Sequence, residues 1–237
     1  MLETLKADIA EHRQEKLEKL APASAADRAF ALKGYSIWLL PPRHEGKKLS
    51  ELIFRLAKDA GSPAFMPHIT LFTPRNPVNV DQLEKAVHRG IDTSMLARDM
   101  ATDASLLRKG DEGMFNKDPE AHDRPMESAE PGLKLRLLPP QPGDRYYQCV
   151  LSPVDPATAV GLVALRTAVA QYLNESTGSY FPHLSLCYGD FEEDKKLELI
   201  EDGTGDWPIE ITCTEVAVVD VNGTADEWRV LTTLRIT

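Results

Sequence analysis

The chain has 237 residues, of which 42% are hydrophobic and 27% charged, a composition typical of a globular protein with one substantial core or two modest lobes. Its formal net charge of -10 argues against binding along a long nucleic acid, since such binding needs many Lys and Arg side chains to neutralise phosphates. A small anion in a locally basic pocket remains compatible with this charge.

The cysteines and the hydropathy of the chain indicate the cellular compartment to expect. The three cysteines form no C-x-x-C pair, and an odd number does not indicate a disulfide framework. No apolar run approaches the roughly 20 residues of a transmembrane helix, and acidic residues interrupt the N-terminal stretch where a signal peptide would be apolar. We therefore expect reduced thiols in an intracellular, cytoplasmic protein without a membrane span, with the Golgi or another compartment as the alternative.

Residues 1–33 are predicted to form an amphipathic helix and a linker. Leucine and isoleucine recur among charged residues up to Leu20, and Ala21-Pro22 follows as a helix end. We interpret this segment as an appendage outside the catalytic unit, which leaves residues 34–237 as the main domain. The appendage could cover a cleft or bind a partner.

The first half of the main domain alternates strands and helices. Tyr35 to Leu40 is apolar, aromatic and β-branched, and it stops at two prolines as a strand does. Leu49 to Ala60 has the apolar period of a helix, Phe65 to Phe72 reads as a second strand, and Val80 to Ile91 as a second helix opened by Asp81.

The second half is predicted to repeat this order after a flexible insertion at about 103–132, where glycines and prolines lie among charges. The predicted elements are strands 133–138 and 146–151, helix 157–173, strand 180–188, helix 192–201 and strands 209–221 and 228–236. The repetition predicts an α+β fold with two pseudo-symmetric lobes around a central cleft. Each lobe would be an antiparallel sheet with helices on its outer face, and we expect a monomer.

A matched pair of heptapeptides is the most informative feature of the repeat. Phe65-Met66-Pro67-His68-Ile69-Thr70-Leu71 and Tyr180-Phe181-Pro182-His183-Leu184-Ser185-Leu186 agree as aromatic, apolar, Pro, His, apolar, hydroxyl and Leu. One His-x-Thr/Ser alone means little, because about 0.7 such tripeptides are expected by chance in this composition. Either motif alone also fits a structural histidine on a half-buried strand, whereas the repetition indicates function.

The spacing within each motif suits the cleavage of a phosphodiester by water. Residues two apart on a strand share a face, so His68 lies beside Thr70 and His183 beside Ser185, on strands that we expect to face each other across the cleft. One neutral imidazole would act as general base and the other, protonated, as general acid. The hydroxyls would donate to the non-bridging phosphate oxygens, with no covalent intermediate. Which histidine has which role is left open.

These residues give the chain a resemblance to the 2H phosphoesterase superfamily and, within it, to the cyclic phosphodiesterases of plants and fungi. The resemblance runs from about Tyr35 to the C-terminus and includes Ser62-Pro63, Tyr146-Tyr147-Gln148-Cys149-Val150 and the two heptapeptides. It implies catalytic roles for both histidines and both hydroxyls, no metal and no cofactor. It also implies hydrolysis of 2',3'-cyclic nucleotides, to the nucleoside 2'-phosphate, and of ADP-ribose 1'',2''-cyclic phosphate.

Two aromatic residues are implied in substrate binding by the same resemblance. Trp38 would stack on or flank the substrate, and Tyr188 matches a tyrosine that closes the family's site. The alternative for both is core packing, the usual role of an aromatic residue on a strand.

Alternative functions remain open at this point. One is an RNA-end processing member of the same superfamily, either 2'-5' ligase-like or an exonuclease, and the acidic composition weighs against it. Another is a non-catalytic nucleotide-binding module, which two intact motifs disfavour. The sequence has neither an H-E-x-x-H nor a P-loop motif that would indicate metal or nucleotide triphosphate chemistry.

Overall fold

The computed structural model describes residues 25–109, 131–203 and 207–236. Its helices are α1 Ala25–Ala29, α2 Arg43–Ala60, α3 Val80–Lys109, α4 Val160–Tyr172 and α5 Glu193–Gly203, with a short 3-10 helix Tyr146–Gln148. Its strands are β1 Tyr35–Leu40, β2 Ile69–Phe72, β3 Leu133–Leu137, β4 Gln141–Pro142, β5 Val150–Pro153, β6 His183–Cys187, β7 Ile209–Cys213, β8 Glu215–Asp220 and β9 Arg229–Arg235.

Seven strands form one sheet in the order β4-β5-β6-β2-β1-β8-β9, while β3 and β7 form a separate pair. Every one of these pairings is antiparallel, so the α+β class and the antiparallel sheet are confirmed. The expectation of motif strands facing each other across a cleft is wrong, because β2 and β6 are hydrogen-bonded neighbours in register at Ile69 and Leu184. Joining the two halves at this edge satisfies backbone groups that two separate sheets would leave unpaired.

A helix from each half packs on a strand of the other half. Helix α2, which follows β1, contacts β6 of the second half, whereas α4, which follows β5, contacts β2 of the first half. Helices α3 and α4 pack closely at Gly90, where an added Cβ would lie 2.8 Å from Leu165 Cδ1 and 2.9 Å from Val169 Cγ2. Each half therefore depends on the other for its core.

Several element boundaries differ from the sequence prediction. Helix α3 continues to Lys109, so residues 103–109 are helical rather than part of the predicted insertion. Residues 146–148 form a 3-10 helix instead of the start of a strand. The predicted strand 209–221 is two strands in different sheets, β7 and β8. Residues 1–24, which include the predicted N-terminal helix, and residues 110–130, most of the predicted insertion, lie outside the described residues.

The strands that carry the motifs separate the core from a pocket. Ile69, Leu71, Leu184 and Leu186 are fully buried in the hydrophobic core. The residues between them alternate to the opposite face of the sheet, as strand geometry requires. This alternation leaves the polar side chains of both motifs on a single surface.

Candidate active site

The two imidazoles are held in the same way by their own motifs. His68 Nδ1 lies 2.6 Å from the carbonyl oxygen of Met66, and His183 Nδ1 lies 2.7 Å from that of Phe181. A carbonyl oxygen only accepts hydrogen bonds, so each Nδ1 carries a proton and donates. In the neutral ring this tautomer leaves a lone pair on Nε2, the nitrogen available for chemistry.

The pairing of β2 with β6 sets the four motif side chains close together. Extending the Ile69–Leu184 register by one residue in each direction places His68 opposite Ser185 and Thr70 opposite His183. Side chains directly opposite on an antiparallel pair have Cβ atoms about 4.5–5.5 Å apart. Each imidazole therefore neighbours the hydroxyl of the other motif as well as that of its own.

The two hydroxyls differ in what they bind. Ser185 Oγ is buried and donates to the carbonyl oxygen of Tyr147 at 2.8 Å. The Thr70 hydroxyl makes no hydrogen bond within the described part of the chain. The Thr70 backbone is anchored instead, because its carbonyl accepts from the Tyr180 hydroxyl at 2.9 Å. Thr70 therefore has a hydroxyl free to donate to a ligand, whereas Ser185 would have to exchange its present acceptor.

Burial makes both imidazoles harder to protonate. His68 is only 5% exposed, and this desolvation lowers its pKa to about 4, against a smaller raising effect of the Met66 carbonyl. The charge on His183 lowers the pKa of His68 further. His183 is half-buried, and desolvation lowers its pKa as well. At neutral pH His68 is therefore a neutral imidazole.

Trp38 packs against His68. Its ring stacks on the imidazole with centroids 3.6 Å apart and planes 8° apart, and its Nε1 donates to Ser36 Oγ at 2.9 Å. Only 3% of the residue is exposed. The structure thus gives Trp38 a positioning contact with the imidazole, while contact with substrate stays a prediction.

Tyr188 is the first residue after β6. The ring stacks on Phe65 with centroids 3.5 Å apart, which connects the second motif's segment to the first motif. Burial raises the pKa of the Tyr188 phenol well above its usual value, so the hydroxyl stays protonated. This hydroxyl makes no hydrogen bond to the described residues, and a role in binding stays a prediction.

One pocket of about 570 Å³ is lined by all six of the predicted residues. They are Trp38, His68, Thr70, His183, Ser185 and Tyr188. The pocket also has aromatic walls from Tyr147, Phe181 and Trp228, and three arginines: Arg75, Arg145 and Arg166. Two carboxylates, Asp144 and Glu175, also line it, so three arginines exceed two acidic residues in a pocket whose size suits a small ligand.

Comparison with known families decides what kind of protein carries this pocket. A family model described as cyclic phosphodiesterase-like protein matches residues 33–236. The chain belongs to this family. Membership confirms the resemblance to 2H phosphoesterases and supports a phosphodiesterase activity for the cyclic phosphodiesterase-like chain.

The solved structures that match the chain are distant from it in sequence. A phosphoesterase shares 11% identity with a TM-score of 0.44, over 86% of this chain and 98% of that chain. Escherichia coli LigT complexed with NADP+ shares 13% at a TM-score of 0.43, over 86% and 98%. LigT complexed with 3'-AMP shares 16% at 0.41, over 87% and 99%. No curated protein sequence matches significantly.

The segment just before the family match packs on this cyclic phosphodiesterase-like domain instead of standing apart from it. Asp27 accepts a hydrogen bond from the Tyr146 hydroxyl at 2.5 Å, and Phe30 stacks on the Tyr146 ring with centroids 4.0 Å apart. The Tyr147 hydroxyl donates to the Phe30 carbonyl, and Leu32 pairs with Gly223. Residues 27–32 therefore pack against Tyr146 and Tyr147, and the Tyr147 carbonyl in turn anchors Ser185.

The pocket's arginines and most of its aromatic wall were not predicted from the sequence. Arg166 lies on a helix and Arg75 in a loop, where a lone arginine carries no motif. Tyr180 could have been found, because it occupies the aromatic position of the second heptapeptide.

None of the helices in the described ranges is long and apolar enough to cross a membrane.

Proposed function

We propose that the chain hydrolyses 2',3'-cyclic nucleotides, ADP-ribose 1'',2''-cyclic phosphate or both, by acid/base catalysis with its two histidines. The product from a cyclic nucleotide would be the nucleoside 2'-phosphate. The observation that carries the proposal is the matched pair of Nδ1–carbonyl bonds, which leaves two Nε2 atoms available in one pocket. Among the described residues neither Nε2 has a hydrogen-bond partner, so both remain available to a ligand.

His68 is assigned as the general base. Its pKa of about 4 makes it neutral near pH 7, so Nε2 can take a proton from the attacking water. The water oxygen bonds to phosphorus as the bond from phosphorus to the ribose O3' breaks. His183, which is protonated, supplies a proton to the departing ribose O3'.

The assignment of His183 as the acid follows from its surroundings. It is less buried than His68, and a single proton shared by two neighbouring imidazoles resides more easily on the less buried one. The negative charge of a bound phosphate favours the protonated form further. The hydroxyls of Thr70 and Ser185 would donate to the non-bridging oxygens as charge concentrates there.

The direct test is steady-state hydrolysis of 2',3'-cyclic AMP and ADP-ribose 1'',2''-cyclic phosphate in excess EDTA. We expect turnover to the 2'-phosphate, and a loss of several orders of magnitude in both His68→Gln and His183→Gln. Reversible loss of wild-type activity on chelation would contradict the two-histidine mechanism. Faster turnover of oligonucleotides would favour RNA-end processing, and calorimetric binding without turnover would favour a non-catalytic module.

The pH dependence tests the two assigned roles. In the free enzyme, kcat/KM requires His68 neutral and His183 protonated. The rising limb is therefore expected near pH 4, and the falling limb below 6.5 because burial lowers the pKa of His183. A profile whose limbs both lie above pH 6.5 would contradict these assignments.

A further inference from the structure

Two guanidinium groups converge on one loop at the side of the pocket near Thr70. Arg166 Nη2 donates to the carbonyl oxygen of Thr177 at 2.5 Å. Arg75 reaches the next residue, since a Cβ added to Gly178 would lie 3.5 Å from Arg75 Nη2. Both arginines line the pocket, together with the hydroxyl residues Thr73, Ser176 and Ser179. This corner is thus rich in hydrogen-bond donors.

Within the described residues, neither guanidinium forms an ion pair with a carboxylate. The acidic residue at this corner is Glu175, and its carboxylate oxygens accept hydrogen bonds from the backbone N–H groups of Arg75 and Asn76. Two like charges therefore lie close together with a deficit of negative charge between them.

Arg166 is fixed at this corner by contacts of its guanidinium group. Its Nη1 donates to the Leu71 carbonyl at 2.5 Å, and its guanidinium lies 4.2 Å from the ring centroid of Tyr180. Its buried Nε has no hydrogen-bond partner among the described residues. Burial lowers the pKa of Arg166, and the charge of Arg75 adds to this, so an anion here would relieve both costs. Arg75 is exposed and free to adapt to a ligand.

We infer that Arg75 and Arg166 form a subsite for a second phosphate of the substrate, apart from the cyclic phosphate at the histidines. Paired guanidinium groups suit phosphate because their N–H donors match its oxygens and carry full charge. The substrate class is a nucleoside 2',3'-cyclic phosphate that also bears a 5'-phosphate. For the position of the cyclic phosphate the inference rests on the proposed function.

Calorimetry with two ligands that differ by one phosphate tests the subsite without requiring turnover. Adenosine 2'-monophosphate and adenosine 2',5'-bisphosphate would be titrated into wild type and Arg75→Gln. We expect the wild type to bind the bisphosphate about 10-fold more tightly, the lower end for hydrogen bonds to a charged group. Arg75→Gln should bring the ratio of the two dissociation constants close to one.

Arg145→Gln is the matched control, because it removes a guanidinium from the same pocket that already pairs with Asp144 at 3.9 Å. It should keep the wild-type ratio. A wild-type ratio near one, or equal loss of the ratio in both variants, would overturn the subsite. If the wild type hydrolyses cyclic phosphates but binds both ligands equally, only the subsite is refuted. If it binds the bisphosphate about 10-fold more tightly but hydrolyses no cyclic phosphate, only the proposed activity is refuted.

Discussion

The buried imidazole of His68 makes the stability of the protein depend on pH. Its pKa is about 4 in the folded chain and 6.5 in the unfolded chain, so the unfolded chain binds more protons between these values. Stability from this group is complete above pH 6.5 and is lost as the pH falls towards 4. The difference of 2.5 pKa units corresponds to about 3 kcal/mol in total, and about 2 kcal/mol of it is lost between pH 7 and 5.

His68→Gln isolates this contribution, because glutamine does not titrate and can still donate to the Met66 carbonyl. Urea unfolding of both proteins at pH 7, 6, 5 and 4.5 gives the free energy of unfolding at each pH. We expect the wild type to lose about 2 kcal/mol more than the variant between pH 7 and 5. Parallel pH dependences, or an NMR titration of His68 near 6.5, would refute the reasoning.

The other predictions concern the hydroxyls and the N-terminal segment. Thr70→Ala and Ser185→Ala should each lower kcat by about 10²–10³, but only Ser185→Ala should also destabilise the fold, by about 1–3 kcal/mol, because it leaves the Tyr147 carbonyl without its donor. Urea unfolding and steady-state kinetics separate the two effects, and equal stabilities would contradict the anchoring role of Ser185. Phe30→Ala should cost about 1 kcal/mol through the lost stack on Tyr146, whereas an unchanged Tm would mean that residues 27–32 do not pack there.

The sequence was sufficient for features that depend on near neighbours. Strand alternation placed Thr70 on the face of His68 and Ser185 on the face of His183, and the structure puts all four side chains in one pocket. The α+β class followed from the repeated order of elements. The length of helix α3 was underestimated, because its continuation to Lys109 lacks the apolar period that marks a packed helix.

Features that depend on distant parts of the chain could not be predicted in this way. Sheet order is decided by packing and by which strand edges find partners, so the sequence did not show that β2 and β6 lie side by side. The Tyr180 hydroxyl and the Thr70 carbonyl, 110 positions apart, meet only because these strands do. The same holds for the loop on which Arg75 and Arg166 converge.

The two His-x-Thr/Ser motifs illustrate what the sequence determines and what depends on the tertiary structure. The sequence by itself determined the residue types and their shared face, because both are set within a few residues of backbone. The tertiary structure alone decided that His68 lies opposite Ser185, that Trp38 covers its ring and that burial keeps it neutral. Burial and cross-strand pairing arise only when the whole sheet assembles, and they are what distinguish His68 from His183.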